Sequence, residues 1–172
     1  MATKSGQRIA IWVITIVMAV GTLGAYFIVI LENNNAQREQ EAFKKQLEEA
    51  NKPDPTAYTV KDKVTELKIE DLKVGEGAEV KAGDTVTAHY KGTIAQTGVK
   101  FDSSYDRGEP ATFSLDQVIK GWQEGVPGMK VGGKRRLIIP ADKAYGSQAN
   151  EKIPANSDLV FEIELIKINP KQ

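Results

Sequence analysis

The chain has 172 residues, with 23 Lys and Arg balancing 23 Asp and Glu, one histidine and no cysteine. That length holds one ordinary domain plus an appendage, and zero net charge argues against a nucleic-acid surface, which needs a basic excess to displace counterions. Without cysteine there is no disulfide, thiolate nucleophile or iron–sulfur cluster, and a single imidazole, His89, excludes a multi-histidine metal site.

After a short tail (1–8), 23 uncharged residues run from Ile9 to Leu31. As a helix they would extend roughly 34 Å, enough to cross a hydrocarbon core of about 30 Å. The span predicts one transmembrane helix, residues 9–31, acting as an uncleaved anchor. The competing reading is a cleaved signal peptide with Ala19-Val20-Gly21 as its processing site, but signal apolar regions run to only about 7 to 15 residues. Lys4 and Arg8 abut the N-terminal end, whereas Glu32 and three asparagines open the other flank. The positive-inside rule then places the N-terminus in the cytoplasm and the larger C-terminal part outside, in a single-pass cell-membrane protein.

Residues 35–50 (NAQREQEAFKKQLEEA) are rich in helix formers and are stopped by Pro53 and Pro55. They predict a polar helical spacer. The stretch NKPDPTAYTVKDK, up to Lys63, reads as flexible linker, so residues 32–63 form spacer and linker and the folded domain is expected from 64 to 170.

Beyond Val64, short alternating apolar runs broken by glycine predict an antiparallel sheet. The candidate strands are Leu67–Val74, Thr85–Gly92, the neighbourhood of Phe101, Ala111–Leu115, Lys134–Ile139 and Leu159–Ile168. Leu115, Val118, Ile119 and Trp122 fall at i, i+3, i+4 and i+7, which predicts one short helix capped by Ser114 or Asp116. Five or six strands must bury their apolar face against that helix, giving an α+β domain.

Several chemistries fall away. Gly128 to Lys134 matches a phosphate-loop pattern, but Arg135 stands where a Ser or Thr is needed and a strand follows instead of a helix. His89 alternates with Val86, Ala88 and Tyr90, so it points away from their face and is expected at the surface. Glu162 and Glu164 read as a solvated face.

What remains is a set of aromatic and apolar residues near loops: Tyr90, Phe101, Phe113, Val118, Ile119, Trp122, Tyr145 and Phe161. The motifs VTAHYKG (Val86–Gly92), KFDSSYDR (Lys100–Arg107), VIKGWQEG (Val118–Gly125), AYG (Ala144–Gly146) and LVFEIEL (Leu159–Leu165) occur in order. Together they resemble an FKBP-type peptidyl-prolyl cis-trans isomerase across the whole globular part. The resemblance implies an antiparallel half-barrel wrapped over a short helix, with the pocket between them. Carried over, Trp122 is the floor under the proline ring, and Tyr90, Phe101, Val118 and Phe161 are walls. Ile119 supplies a backbone N–H and Tyr145 a hydroxyl to the carbonyls flanking the proline. Asp102 is the pocket carboxylate with Arg107 beside it, and Ile153 is the apolar tip of an overhanging loop. The sequence departs from the family at Ala111, where a further pocket aromatic is common, and at Lys152, where a second apolar residue is common.

The resemblance implies an enzyme that needs no cofactor or metal and acts on proline-containing polypeptides, with macrolides as further possible ligands and a monomeric state. The alternative is a membrane-tethered proline-peptide binding module, or chaperone, with little turnover.

Overall fold

The computed structural model describes residues 37–169. The expected membrane span lies outside them, and among the described residues no helix is long and apolar enough to cross a membrane. The chain divides after Ala50, not near Val64. In the first unit, α1 covers residues 37–50, and every side chain on it is exposed.

The second unit is built on one sheet. Its strands are β1 (Lys68–Lys73), β2 (Thr85–Ile94), β3 (Lys100–Ser103), β4 (Ala111–Ser114), β5 (Lys134–Ile139) and β6 (Leu159–Asn169). They order as β1-β5-β6-β2-β3, antiparallel throughout, with β4 also on β2. The ten residues of β2 serve two partners along one edge: Lys91–Thr93 pair with β3, and Thr85–Ala88 pair with β4. Between these stands the four-residue helix α2 (Ser104–Arg107), capped at its start by the Ser103 hydroxyl and closed by Gly108 at φ 74°.

Alternation fixes the faces. Val86, Ala88 and Tyr90 of β2, Leu137 and Ile139 of β5, and Phe161, Ile163 and Leu165 of β6 point into one core. The predicted helix is broken. Leu115–Gln117 make a 3-10 turn, Val118 and Ile119 are extended, and only Lys120–Gly125 form the helix α3. Leu115 is pinned by its amide to the Asp84 carbonyl and buried in the core, so tertiary packing overrides a helical spacing that local sequence permits.

The six residues of α3 lie directly on β5 through two glycines. A Cβ on Gly121 would stand 2.4 Å from Ile139 Cγ2, and one on Gly125 would stand 2.7 Å from Leu137 Cδ2. Arg135, 9% exposed in its side chain, secures the far end: its guanidinium donates to the carbonyls of Gly125 and Pro127 and binds Asp71 of β1 through two nitrogens. Carbonyls that a helix end leaves without partners are met in this way.

The stretch expected to be flexible linker instead lies along the opposite face of the sheet. Pro53 bridges Val99, the Asp54 amide donates to the Gly98 carbonyl, and the Val60 amide donates to Ala95. Lys91 meets Asp54 and Thr56, and Arg136 sits 4.2 Å from the Tyr58 ring centroid. Val64 and Val60 close a second apolar cluster with Ala95, Ile138 and Val160. Glu162, expected to be solvated, is ion-paired to Arg136 and Lys134 beside this strap.

Adding a methyl where α3 touches β5 overpacks the contact. Gly121→Ala is therefore expected to destabilise the domain by about 1–3 kcal/mol, read as a lower denaturant midpoint with an unchanged slope; an unchanged midpoint would mean that Ile139 yields freely.

Candidate functional site

A cleft of about 320 Å³ opens between α3 and the inner face of the sheet, lined by Tyr90, Phe101, Asp102, Phe113, Gln117, Val118, Ile119, Trp122, Tyr145 and Phe161. Its size is at the low end for small-molecule and peptide sites. Eight of the nine residues expected in the site therefore meet in one place. The ninth, Ile153, is not among the lining residues; it is 4% exposed and belongs to the core cluster. Its amide and that of Lys152 both donate to the Asn150 side chain, a local turn that folds Ile153 inward. Ala111 and Lys152 do not line the cleft either.

Trp122, 3% exposed, forms the floor. Phe161, Phe113 and Tyr90 surround it at centroid distances of 5.4, 5.2 and 5.9 Å and at 88°, 66° and 84° to its plane. Such edge-to-face contacts suit ring quadrupoles. The indole N–H is buried and meets no hydrogen-bond acceptor among the described residues. Phe101 packs edge-on to Phe161 at 5.5 Å. Gly92 makes that approach possible, since a Cβ there would fall 2.5 Å from Phe101 and 2.9 Å from Phe161. Phe113 and Gln117 complete the lining but were not among the expected site residues. Phe113 stands in the aromatic set that the sequence singles out but carries no role there, and Gln117 follows from the break before α3, which helical spacing hid.

One wall carries a closed polar triad. The Tyr90 hydroxyl donates to Asp102 Oδ2 at 2.5 Å, and Arg107 donates to Asp102 Oδ1 at 2.6 Å and to the Tyr90 oxygen at 2.7 Å. Burial pushes the Asp102 carboxyl up, but the hydrogen bonds from Tyr90 and Arg107 outweigh it and hold the group below the ordinary carboxylate value. Burial, with Asp102 beside it, raises the Tyr90 phenol, and the Asp102 and Tyr90 bonds raise the Arg107 guanidinium. The triad is thus a fixed ion pair with a neutral phenol, and none of its members is poised to exchange a proton near neutrality.

The triad is held from behind by α2. Ser104 Oγ accepts from the Tyr90 amide at 2.8 Å, donates to the Tyr90 carbonyl at 3.2 Å, and lies 3.1 Å from His89 Nδ1. His89 does face away from the cleft, as its alternation requires, but it is half-buried and not a free surface group: it stacks on Tyr105 at 4.7 Å. Tyr105 in turn donates to Glu164, and burial first and that carboxylate second push its phenol up to about 12.

Elsewhere in the lining, the Ile119 amide and the Tyr145 hydroxyl are free donors. The Ile119 amide meets no backbone carbonyl among the described residues, because residues 118 and 119 are extended. Tyr145 is 42% exposed, and its hydroxyl has no partner among the described residues. No group of three or more acidic or histidine side chains among the described residues is arranged to hold a metal.

The chain is similar to known proteins. The family model described as FKBP-type peptidyl-prolyl cis-trans isomerase matches residues 76–166. A probable FK506-binding protein of Corynebacterium glutamicum is 50% identical over 101 residues, covering 59% of this chain and 86% of that protein. The isomerase FkpA of Escherichia coli is 47% identical over 111 residues, covering 64% of this chain but only 41% of that longer protein. A crystal structure of a peptidyl-prolyl cis-trans isomerase from Pseudomonas syringae pv. tomato superposes with a TM-score of 0.55 at 38% identity, over 60% of this chain and 75% of that one.

The triad gives a testable sign. With the folded-state value of Asp102 depressed, its contribution to stability is complete above the ordinary carboxylate value of about 3.9 and is lost as pH falls through the folded-state value. Arg107→Ala should move the Asp102 titration to higher pH in carboxyl NMR, shifting the acid limb of stability upward; an unmoved titration would mean the guanidinium does not hold the carboxylate.

Proposed function

The chain belongs to the FKBP-type peptidyl-prolyl cis-trans isomerase family and is an enzyme of that class, and from that premise we propose how its cleft works and where. The single observation that carries the mechanism is an aromatic cleft, floored by buried Trp122, with two unengaged neutral donors at its rim. Rotation about an X-Pro bond makes and breaks no covalent bond; its barrier of about 18–20 kcal/mol is the amide resonance lost on twisting. A twisted imide is less polar than a planar one. An apolar, water-poor cleft therefore favours the twisted form over the planar ground state, which is differential binding of the transition state.

The proline ring lies on Trp122, between Tyr90, Phe101, Phe161 and Val118. The Ile119 N–H and the Tyr145 O–H take the carbonyls on either side of the rotating bond and hold the flanking chain while the imide turns. Asp102 and Arg107 keep the Tyr90 ring in place as a wall and add no proton transfer. Proline-containing segments of folding polypeptides are the substrates in this reading, and macrolides of the kind named in the FK506-binding relatives would occupy the same cleft in competition with them.

We further propose that residues 9–31 anchor the chain in the cell membrane as a single pass, with the N-terminus cytoplasmic and the isomerase on the extracytoplasmic side. The 23-residue uncharged run and the Lys4 and Arg8 flank support this. In this arrangement the clients are proteins folding beyond the membrane, and the domain acts as a monomer.

Trp122→Ala and Phe101→Ala should each lower kcat/KM in a proline-peptide isomerisation assay by more than about tenfold, about 1.4 kcal/mol of transition-state stabilisation. Full activity in either folded variant would show that proline does not sit on this floor. Single cysteines placed in the tail (1–8) and in the globular part, probed in intact cells with an impermeant thiol reagent, should label only the globular site; the reverse pattern would invert the proposed orientation.

A further inference from the structure

Asp158 is a carboxylate at 2% exposure that neither the cleft chemistry nor any ion pair described above uses. It stands just before β6, and its two oxygens accept three N–H donors from three separate pieces of chain. Oδ1 takes the Ala141 amide at 2.9 Å, and Oδ2 takes the Val64 amide at 2.8 Å and the Gln96 side-chain amide at 2.8 Å. Its own carbonyl accepts from the Ala95 amide at 2.9 Å. Among the described residues no cation pairs with it. A buried carboxylate without a counter-ion is costly unless its lone pairs are met by aligned donors, and here they are.

Each arm leads to the cleft. The Ala141 carbonyl accepts from the amides of Ala144 and Gly146 at 3.0 and 2.8 Å, so residue 141, held at its N–H by Asp158, holds through its carbonyl the chain on both sides of Tyr145. Ala95 and Gln96 lie at the turn between β2 and β3, and β3 carries Phe101 and Asp102. The Ile94 amide donates to Val99 across that turn, and Pro53 and Asp54 of the strap clasp its far side. Val64 ends the strap. One carboxylate therefore joins the Tyr145 loop, the hairpin of Phe101 and Asp102, and the segment that enters the domain.

We propose that Asp158 is a positioning residue of the isomerase, setting the Tyr145 hydroxyl against the cleft through the backbone of Ala141. The proposal rests on the reading of Tyr145 as a donor to the substrate. Asparagine in its place is nearly isosteric but presents one oxygen and one NH₂. Whichever way it turns, a donor faces a donor, either at Ala141 or at Val64 and Gln96. The Tyr145 loop then loses its fixed register while the apolar core is unchanged, and small displacements of a positioning group cost large factors in rate.

The test is a double-mutant cycle on the full-length chain in a mild detergent, with kcat and KM resolved for a proline peptide in the parent, Asp158→Asn, Tyr145→Phe and the double variant. Asp158→Asn should lower kcat/KM about tenfold in the parent background, and about twofold or less once Tyr145 is already phenylalanine. An equal loss in both backgrounds would make Asp158 a general structural residue and overturn the proposal. A folded Asp158→Asn chain with full activity would do the same. If Tyr145→Phe alone is silent, the reading of Tyr145 fails, and with it the route by which Asp158 acts; that outcome is distinct from an active Tyr145 with additive variants.

Should Asp158→Asn not fold, Ala141→Pro replaces it in the same cycle with the same criteria. It replaces the N–H that reaches Oδ1 by a ring methylene that displaces the carboxylate, at the first residue of a 3-10 turn, where proline fits. Pro140 before it, at φ −66° and ψ 153°, has the extended backbone that a following proline requires.

Discussion

A helix of six residues has no stability of its own, since nucleation costs more than so few backbone bonds return, yet α3 carries the floor of the cleft. Its persistence is a matter of contact. Gly121 and Gly125 bring its backbone onto Ile139 and Leu137 with no room for a methyl group, and Trp122 is pressed into the concavity of the sheet. Arg135 binds the carbonyls at its end and ties them to Asp71 on the edge strand. The extended residues Val118 and Ile119 that enter α3 give the cleft part of its lining and an amide with no helical partner. Had residues 115–125 formed one regular helix, that amide would have bonded within it. The break is what makes an apolar floor and a free donor neighbours.

The two faces of the sheet divide the labour. Inward residues of β2, β5 and β6 are apolar and aromatic. Outward ones are charged: on the strap Lys91 finds Asp54 and Arg136 finds the Tyr58 ring, and within the sheet Arg136 also pairs with Glu70 of β1 and Glu162 of β6. The strap is held as well by backbone bonds at Gly98 and Ala95 and by the apolar contacts of Val60 and Val64. The consequence is reach: a segment that touches no substrate braces the hairpin from which Phe101 and Asp102 project, and meets the Tyr145 loop at a single carboxylate.

The elements of the sheet were legible because they are periodic. Lys134–Ile139 has its expected bounds, β1, β4 and β6 differ from theirs by one residue at one or both ends, and β2 continues two residues past Gly92. Five short motifs located the cleft because each places side chains at fixed offsets on a strand or at its end. What could not be read has a common cause. Leu115, Val118, Ile119 and Trp122 match a helical repeat, and the extended backbone of Val118 and Ile119 breaks it once Leu115 is buried and held by Asp84. The strap docks through isolated contacts, with no repeat at all, so its prolines and charges read as linker. Ile153 turns inward because of Asn150, three residues earlier, and His89 is half-buried because Tyr105, sixteen residues later, stacks on it. Each depends on a partner distant in sequence or on a local turn, and neither leaves a period.

The electrostatics of the cleft suit a reaction in which no charge moves. Its one carboxylate is already engaged by Arg107 and Tyr90, and the guanidinium has both its partners within the wall. A hydrolase or transferase would need one of these groups free and near its ordinary titration range to give or take a proton; here the triad shifts Asp102 down and Tyr90 up, away from neutrality in both directions. The unengaged donors of the lining are neutral, the Ile119 amide and the Tyr145 phenol among them. Neutral donors can hold carbonyls without anchoring the planar, more polar imide so strongly that rotation is opposed. The same economy explains the tolerance of an alanine at position 111. It lies outside the lining, so the floor, the triad and both donors stand without an aromatic there.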